Sequence, residues 1–235
     1  MTARPTKSRR TKLSALAVSA LVALTGCGAV HPGMAAVVGS STISHDRVDT
    51  LASALCTART AGSEAAAAAA PPEPTRRARG GALQILLETE LSHEFGEERG
   101  VDPSLRQVTE ALAQQQQLID FLPEDEAEAY REALAEYAEG QLMLIEIGRQ
   151  SLEEQGQSNV PDDQALAEGE RLRQEYAESL EIEVDPRYGT FEDGSLSSGG
   201  TALSVAESDR AKAGSQAELA PTFVSGLPAS QRCAS

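Results

Sequence analysis

Apolar residues recur at spacings of three and four along most of this chain, and the spacing changes to two only near residue 180. Val48, Leu51 and Leu55, with Ala52 beside them, mark the buried face of a first helix that Ser44 can cap from just before His45. Leu83, Leu87, Leu91 and Phe95 stand one turn apart and predict a second helix over about residues 80–98. A third starts where Asp102 can serve as N-cap and Pro103 as first helical residue, and its seam is Leu105, Val108, Leu112, Ile119 and Leu122. Pro123 opens the longest helix, to about residue 154, with Glu124, Asp125 and Glu126 at the positive end of its dipole. Ala127, Tyr130, Leu134 and Tyr137 mark its inner face, and residues 142–147 are apolar nearly all round. Such a stretch is either the centre of a bundle or an exposed patch with a purpose. After Pro161 a fifth helix buries Leu166, Leu172, Tyr176 and Leu180.

The alternation of Leu180, Ile182 and Val184 with Glu181, Glu183 and Asp185 is that of a strand. A lone strand leaves its backbone groups unpaired, and the only earlier candidate is Ala35-Ala36-Val37-Val38-Gly39. The expected fold is therefore mainly α, a bundle of about five helices closed by a two-stranded β-ribbon made from the first and last segments of the domain. Between the first two helices, residues 61–79 hold six consecutive alanines and then Pro71, Pro72 and Pro74, which fits a length-tolerant connection. Beyond Gly194, Gly, Ser, Ala and Thr dominate, and residues 194–235 are expected to be a largely disordered tail.

The start of the chain is organised differently. Arg4, Lys7, Arg9, Arg10 and Lys12 precede an apolar run over residues 13–24, which is shorter than the roughly 20 residues a membrane span needs. Leu24-Thr25-Gly26-Cys27 then gives small residues before a thiol, the pattern a lipoprotein signal peptidase cuts. Residues 1–26 are thus expected to be a leader, Cys27 the lipidated residue, and 27–34 a tether to the outer face of the bacterial cytoplasmic membrane. Several acyl chains on one residue give firm anchoring where one would be marginal. Losing the leader leaves 15 Lys and Arg against 36 Asp and Glu, a net charge of −21. That surface repels nucleic acid and anionic headgroups, so the lipid alone is expected to hold the membrane. An exported location permits disulfides, and Cys56 and Cys233 remain as a pair. They are expected to be bridged, the alternative being a buried Cys56 and a free Cys233.

Other chemistry is sparse. His31, His45 and His93 fall in the tether, at a helix start and on a helix flank, where each is expected to be a solvated surface residue with no metal partner at suitable spacing. Neither a Gly-x-Ser-x-Gly elbow nor a phosphate-binding glycine loop occurs, and no cofactor is expected. Acids at residues 124–128 fit dipole partners better than a cation site. Asp185-Pro186-Arg187-Tyr188-Gly189 is either a site or a strand-ending turn in which Arg187 pairs with a nearby acid.

Two segments carry a resemblance. Ala35 to Gly39 followed by Thr42-Ile43-Ser44 resembles the opening of SurA-like and PrsA-like extracytoplasmic chaperones, and Ile182-Glu183-Val184-Asp185-Pro186-Arg187-Tyr188-Gly189-Thr190-Phe191 is similar to the end of the same module. Together they bracket residues 35–193. The resemblance implies a helical module that shields unfolded or partly folded exported polypeptides. That task needs an adaptable apolar concavity, for which Leu142, Met143, Leu144 and Ile147 are the candidate lining residues. Larger relatives insert a parvulin-type prolyl isomerase domain, and no segment here has that content, so a non-enzymatic chaperone or foldase-like factor is expected. The alternative is a partner-docking lipoprotein that supports an envelope or transporter complex.

Overall fold

The computed structural model describes residues 32–65, 72–197, 205–216 and 218–233. Strands β1 (Met34–Val38) and β2 (Ser41–Ser44) form a hairpin around Gly39, whose φ of 52° is the left-handed value a tight turn requires. The Ser44 hydroxyl accepts from the Arg47 amide at 3.1 Å and so starts α1 (His45–Ala65). Helices α2 (Thr75–Arg99), α3 (Leu105–Ala113), α4 (Gln116–Ile119), α5 (Glu124–Glu154) and α6 (Asp162–Ala177) follow, and then strand β3 (Ile182–Val184). The fold is mainly helical with a small antiparallel sheet, as the spacing predicts.

That sheet is the closure. β3 lies antiparallel to β1, with Ala36 opposite Val184, Val37 opposite Glu183 and Val38 opposite Ile182. The Gly39 amide donates to Glu181 and the Asp185 amide to Ala35, which extends the ladder at both ends. β1 is the central strand, in the order β2-β1-β3, so the ribbon has three strands rather than two. The reason is local: β-branched Thr42 and Ile43 favour extension, and Ile43 is fully buried beneath the sheet.

Two helix starts differ from the sequence expectation. α2 begins at Thr75, since residues 75–79 need no apolar face to extend a helix that is anchored further on. The N-cap of α3 is Ser104, not Asp102. Its hydroxyl accepts from the Gln107 amide while the Gln107 side chain accepts from the Ser104 amide, a reciprocal capping box. The expected continuous third helix is broken at residues 114–115, where a glutamine run offers nothing to bury.

Two apolar clusters hold the bundle. The larger joins β1, β2, α1 and the first part of α2 through Val38, Ile43, Val48, Leu83, Leu86 and Leu87, with Ile119 inserted from α4. The smaller joins α2, α5 and α6 through Phe95, Leu144 and Ile147, and Tyr176 stacks on Phe95 at 5.1 Å between ring centroids. Burying each such side chain stabilises the fold by about 1.5–3 kcal/mol. α5 and α6 touch backbone to backbone. A methyl group on Gly148 would stand 1.9 Å from the Ala165 carbonyl oxygen, and one on Gly169 would stand 2.1 Å from that of Leu144. An ionic link spans three helices, with Arg47 of α1 donating to Glu90 of α2 at 2.9 Å and to Glu136 of α5.

The segment after Gly194 is ordered where it is described. β4 (Thr190–Glu192) and β5 (Ser195–Ser197) form a hairpin across Asp193 and Gly194, both with positive φ, as a type I′ turn requires. The Gln84 side chain accepts from the Leu196 amide at 2.6 Å and donates to the Gly194 carbonyl at 3.1 Å, fixing that hairpin to α2. Helices α7 (Asp209–Gly214) and α8 (Pro221–Ser225) and a 3₁₀ turn (Ala229–Gln231) follow, and Val224 is buried. Cys233 is disulfide-bonded to Cys56 with a Cα separation of 5.1 Å, and its amide donates to the Glu73 carbonyl at 2.9 Å. The expectation of a largely disordered tail therefore fails for these residues: composition undervalues one bond and a few backbone contacts that tie them down.

Candidate functional site

The five-residue turn at the end of β3 meets the start of α1. Asp185 Oδ1 accepts from the Arg187 amide at 2.9 Å, and Arg187 Nε and Nη2 reach Oδ2 at 3.0 and 2.7 Å. That fork holds the Asp185 carboxyl below its ordinary range. Arg187 Nη2 also lies 2.6 Å from His45 Nε2, and His45 Nδ1 lies 3.1 Å from the Tyr188 hydroxyl. An imidazole protonated on Nδ1 satisfies both contacts, donating to the Tyr188 oxygen and accepting from Arg187. The His45 and Tyr188 rings stack at 5.7 Å, and burial pushes the Tyr188 phenol up. Both Asp185 oxygens are thus engaged by Arg187 within the turn, and the contacts of Arg187 and Tyr188 with His45 join the turn to α1. Of the two readings of this motif, the geometry favours a strand-ending turn with Arg187 paired to an acid.

His45 is half-buried in this cluster rather than solvated. His93 is half-buried too, its Nε2 2.9 Å from the Glu136 carbonyl oxygen. His31, Cys27 and the whole leader lie outside the described residues. Among the described residues no group of His, Cys, Asp or Glu is arranged to hold a metal ion, and no helix is long and apolar enough to cross a membrane.

The candidate lining residues of α5 are corrected by burial. Met143, Leu144 and Ile147 are 5%, 0% and 3% exposed, and Met143 seats its sulfur over Gly96 of α2. They are core, since these three side chains lie on the sides of α5 that face α2 and α6. Leu142 alone is half-buried. Two open clefts among the described residues are lined largely by polar side chains. One of about 330 Å³ between α2 and α6 is lined by Glu88, Glu170, Arg171, Arg173 and Gln174 among others. Another is lined by Ser40, Ser41, His93 and four glutamates.

Exposed apolar side chains lie instead on α3 and just after α4. Among the described residues α3 packs mainly on α5 and fully buries no residue, although its apolar and polar positions are strongly segregated. Leu105 is 87% exposed and Phe121 58% exposed. Sequence spacing detects this stripe but assigns it to a helical seam. It is a seam over most of its length, with Val108 and Leu112 half-buried where α3 meets α5 and Ile119 and Leu122 buried, while Leu105 at its start is exposed.

No family model, no curated protein and no solved structure matches this chain. The functional reading rests on the residues and their arrangement.

Proposed function

We propose that this protein is an extracytoplasmic, lipid-anchored chaperone or foldase-like factor that holds unfolded or partly folded exported polypeptides without catalysis. The observation that carries the reading is the antiparallel pairing of β1 with β3 around the helices. Those are the two segments whose residues resemble the ends of the SurA-like and PrsA-like module. Two physical features support it. A holding factor needs apolar surface on an already folded domain, and Leu105 and Phe121 provide some without being part of the buried clusters. A strongly acidic exterior keeps such a protein soluble while it carries an aggregation-prone client. Cys27, as the lipid-bearing residue, would hold the domain at the membrane face where exported chains emerge.

Promiscuity tests the proposal against the alternative, a docking lipoprotein that supports one envelope or transporter complex. The purified protein at near-stoichiometric amounts should suppress light scattering from several unrelated unfolded proteins. A docking module would leave all of them to aggregate and would capture one partner. Anchoring has its own check: metabolic labelling with palmitate should mark the protein and place it in the membrane fraction, and both signals should vanish in Cys27→Ser.

A further inference from the structure

The cleft between α2 and α6 holds charges that its own walls leave unmatched. The β4–β5 hairpin closes a third side, contributing Asp193 and Gly194, and Gln84 fastens that hairpin to α2. Two of the lining side chains are cations. Arg171 is consumed by its own helix, donating through Nε and Nη2 to Glu168 at 2.8 Å and through Nη1 to Glu175. Arg173 uses Nη1 alone, donating to the Ser92 hydroxyl at 3.0 Å and to the Glu88 carbonyl at 3.3 Å. Ser92 is 1% exposed, so the guanidinium stands on a fixed floor. Among the described residues Nε and Nη2 of Arg173 have no hydrogen-bond partner and the side chain makes no ion pair. Two adjacent N–H groups of that kind are what a guanidinium offers to a carboxylate in a two-pronged contact. Glu88, Glu170 and Asp193 line the same cleft, with Leu91 and Ala177 as apolar wall. The Tyr137 phenol of α5 reports how close these charges lie: burial raises it, Glu88 and Glu170 raise it further, and Arg173 lowers it.

We propose that this cleft binds a small free amino acid that carries a second ammonium group on an aliphatic side chain. Its carboxylate meets the unused edge of Arg173, its ammonium groups meet Glu88, Glu170 and Asp193, and its methylene chain lies along Leu91 and Ala177. The charges decide the class. With Arg171 neutralised by Glu168 and Glu175, the cleft presents three acids and one available cation. A simple anion is repelled by that set, whereas one carboxylate with two ammonium groups complements it. The volume of about 330 Å³ is at the low end of small-molecule sites, which run from roughly 300 to 1,000 Å³, and suits a ligand the size of one residue. This site is separate from the chaperone reading and does not rest on it.

Isothermal titration calorimetry of the purified full-length protein tests this with three probes: L-lysine, L-norleucine, which lacks the side-chain ammonium, and cadaverine, which lacks the carboxylate. L-lysine should bind about tenfold or more tighter than either of the others. Cadaverine is the decisive control, because a merely acidic surface would hold a dication better than it holds lysine. Arg173→Gln should remove the preference for lysine over cadaverine. Glu170→Gln with Asp193→Asn should weaken lysine binding by about tenfold while circular dichroism and the melting temperature stay unchanged. Both carboxylates are exposed and make no hydrogen bond among the described residues, and asparagine tolerates the positive φ of residue 193. Cadaverine or norleucine binding as tightly as lysine would overturn the proposal. So would the absence of lysine binding at millimolar concentration, or full lysine binding by the double variant.

Discussion

Asp185 and Glu168 show how single carboxylates tie distant elements and make the fold sensitive to acid. Hydrogen bonds from Arg171, followed by Ser151 of α5, bring the Glu168 carboxyl down to about 2 from an ordinary 4.5. Arg187 lowers Asp185 in the same sense. A carboxyl whose folded value is depressed contributes stability that is fully present above its unfolded value and lost as pH falls through its folded one. Denaturant midpoints should therefore fall between about pH 4.5 and pH 2. Glu168→Gln and Asp185→Asn should each lower the midpoint at neutral pH and flatten that decline; an unchanged pH profile in both would show that these contacts do not form in solution. Glu136 opposes the trend weakly, because burial raises its carboxyl despite Arg47. The pairing of Arg187 with a nearby acid was legible in the sequence, since Asp185 is two residues away. His45 was not, because it lies 143 positions from Tyr188 and only the β1–β3 closure brings them together.

At the scale of elements, the same residue type has opposite consequences according to what faces it. Gly148 sits inside α5, where alanine would favour the helix by about 1 kcal/mol. The Ala165 carbonyl at 1.9 Å is backbone and cannot swing aside. Gly148→Ala should therefore destabilise, with overpacking costing about 1–3 kcal/mol, and should lower the melting temperature by several degrees. Gly81 in α2 has nothing within 4 Å of an added methyl, so Gly81→Ala should raise stability by about 0.5–1 kcal/mol. Calorimetry on the two variants checks both signs. Periodicity located α1, α2, α5 and α6 because each has a continuous apolar stripe. It placed residues 105–122 in one helix because spacing counts apolar residues without asking what they meet. The β4–β5 hairpin also carries a sequence signal: Asp193-Gly194 between two short extended runs is a strong hairpin turn sequence.

The whole molecule is fastened at both ends, by β1–β3 pairing at the start of α1 and by the Cys56–Cys233 bond near its middle. The bond spans 177 residues, and cross-links closing long loops restrict the unfolded chain most, with a typical contribution of about 2–4 kcal/mol. Replacing both cysteines by Ser should lower the unfolding midpoint and expose residues 205–233 to proteolysis while the helical bundle keeps its circular dichroism. A midpoint and cleavage pattern identical to the parent would mean the bond contributes nothing in solution. Sequence alone determined helices α1, α2, α5 and α6, the strand after residue 180, the acidic composition and the pairing of the two domain ends, because these follow from spacing, charge and the need to satisfy backbone groups. Only the tertiary structure decided that Met143, Leu144 and Ile147 are interior while Leu105 and Phe121 face water. A stripe of aliphatic residues is the same string of letters in either role, and what distinguishes them is whether another helix lies opposite.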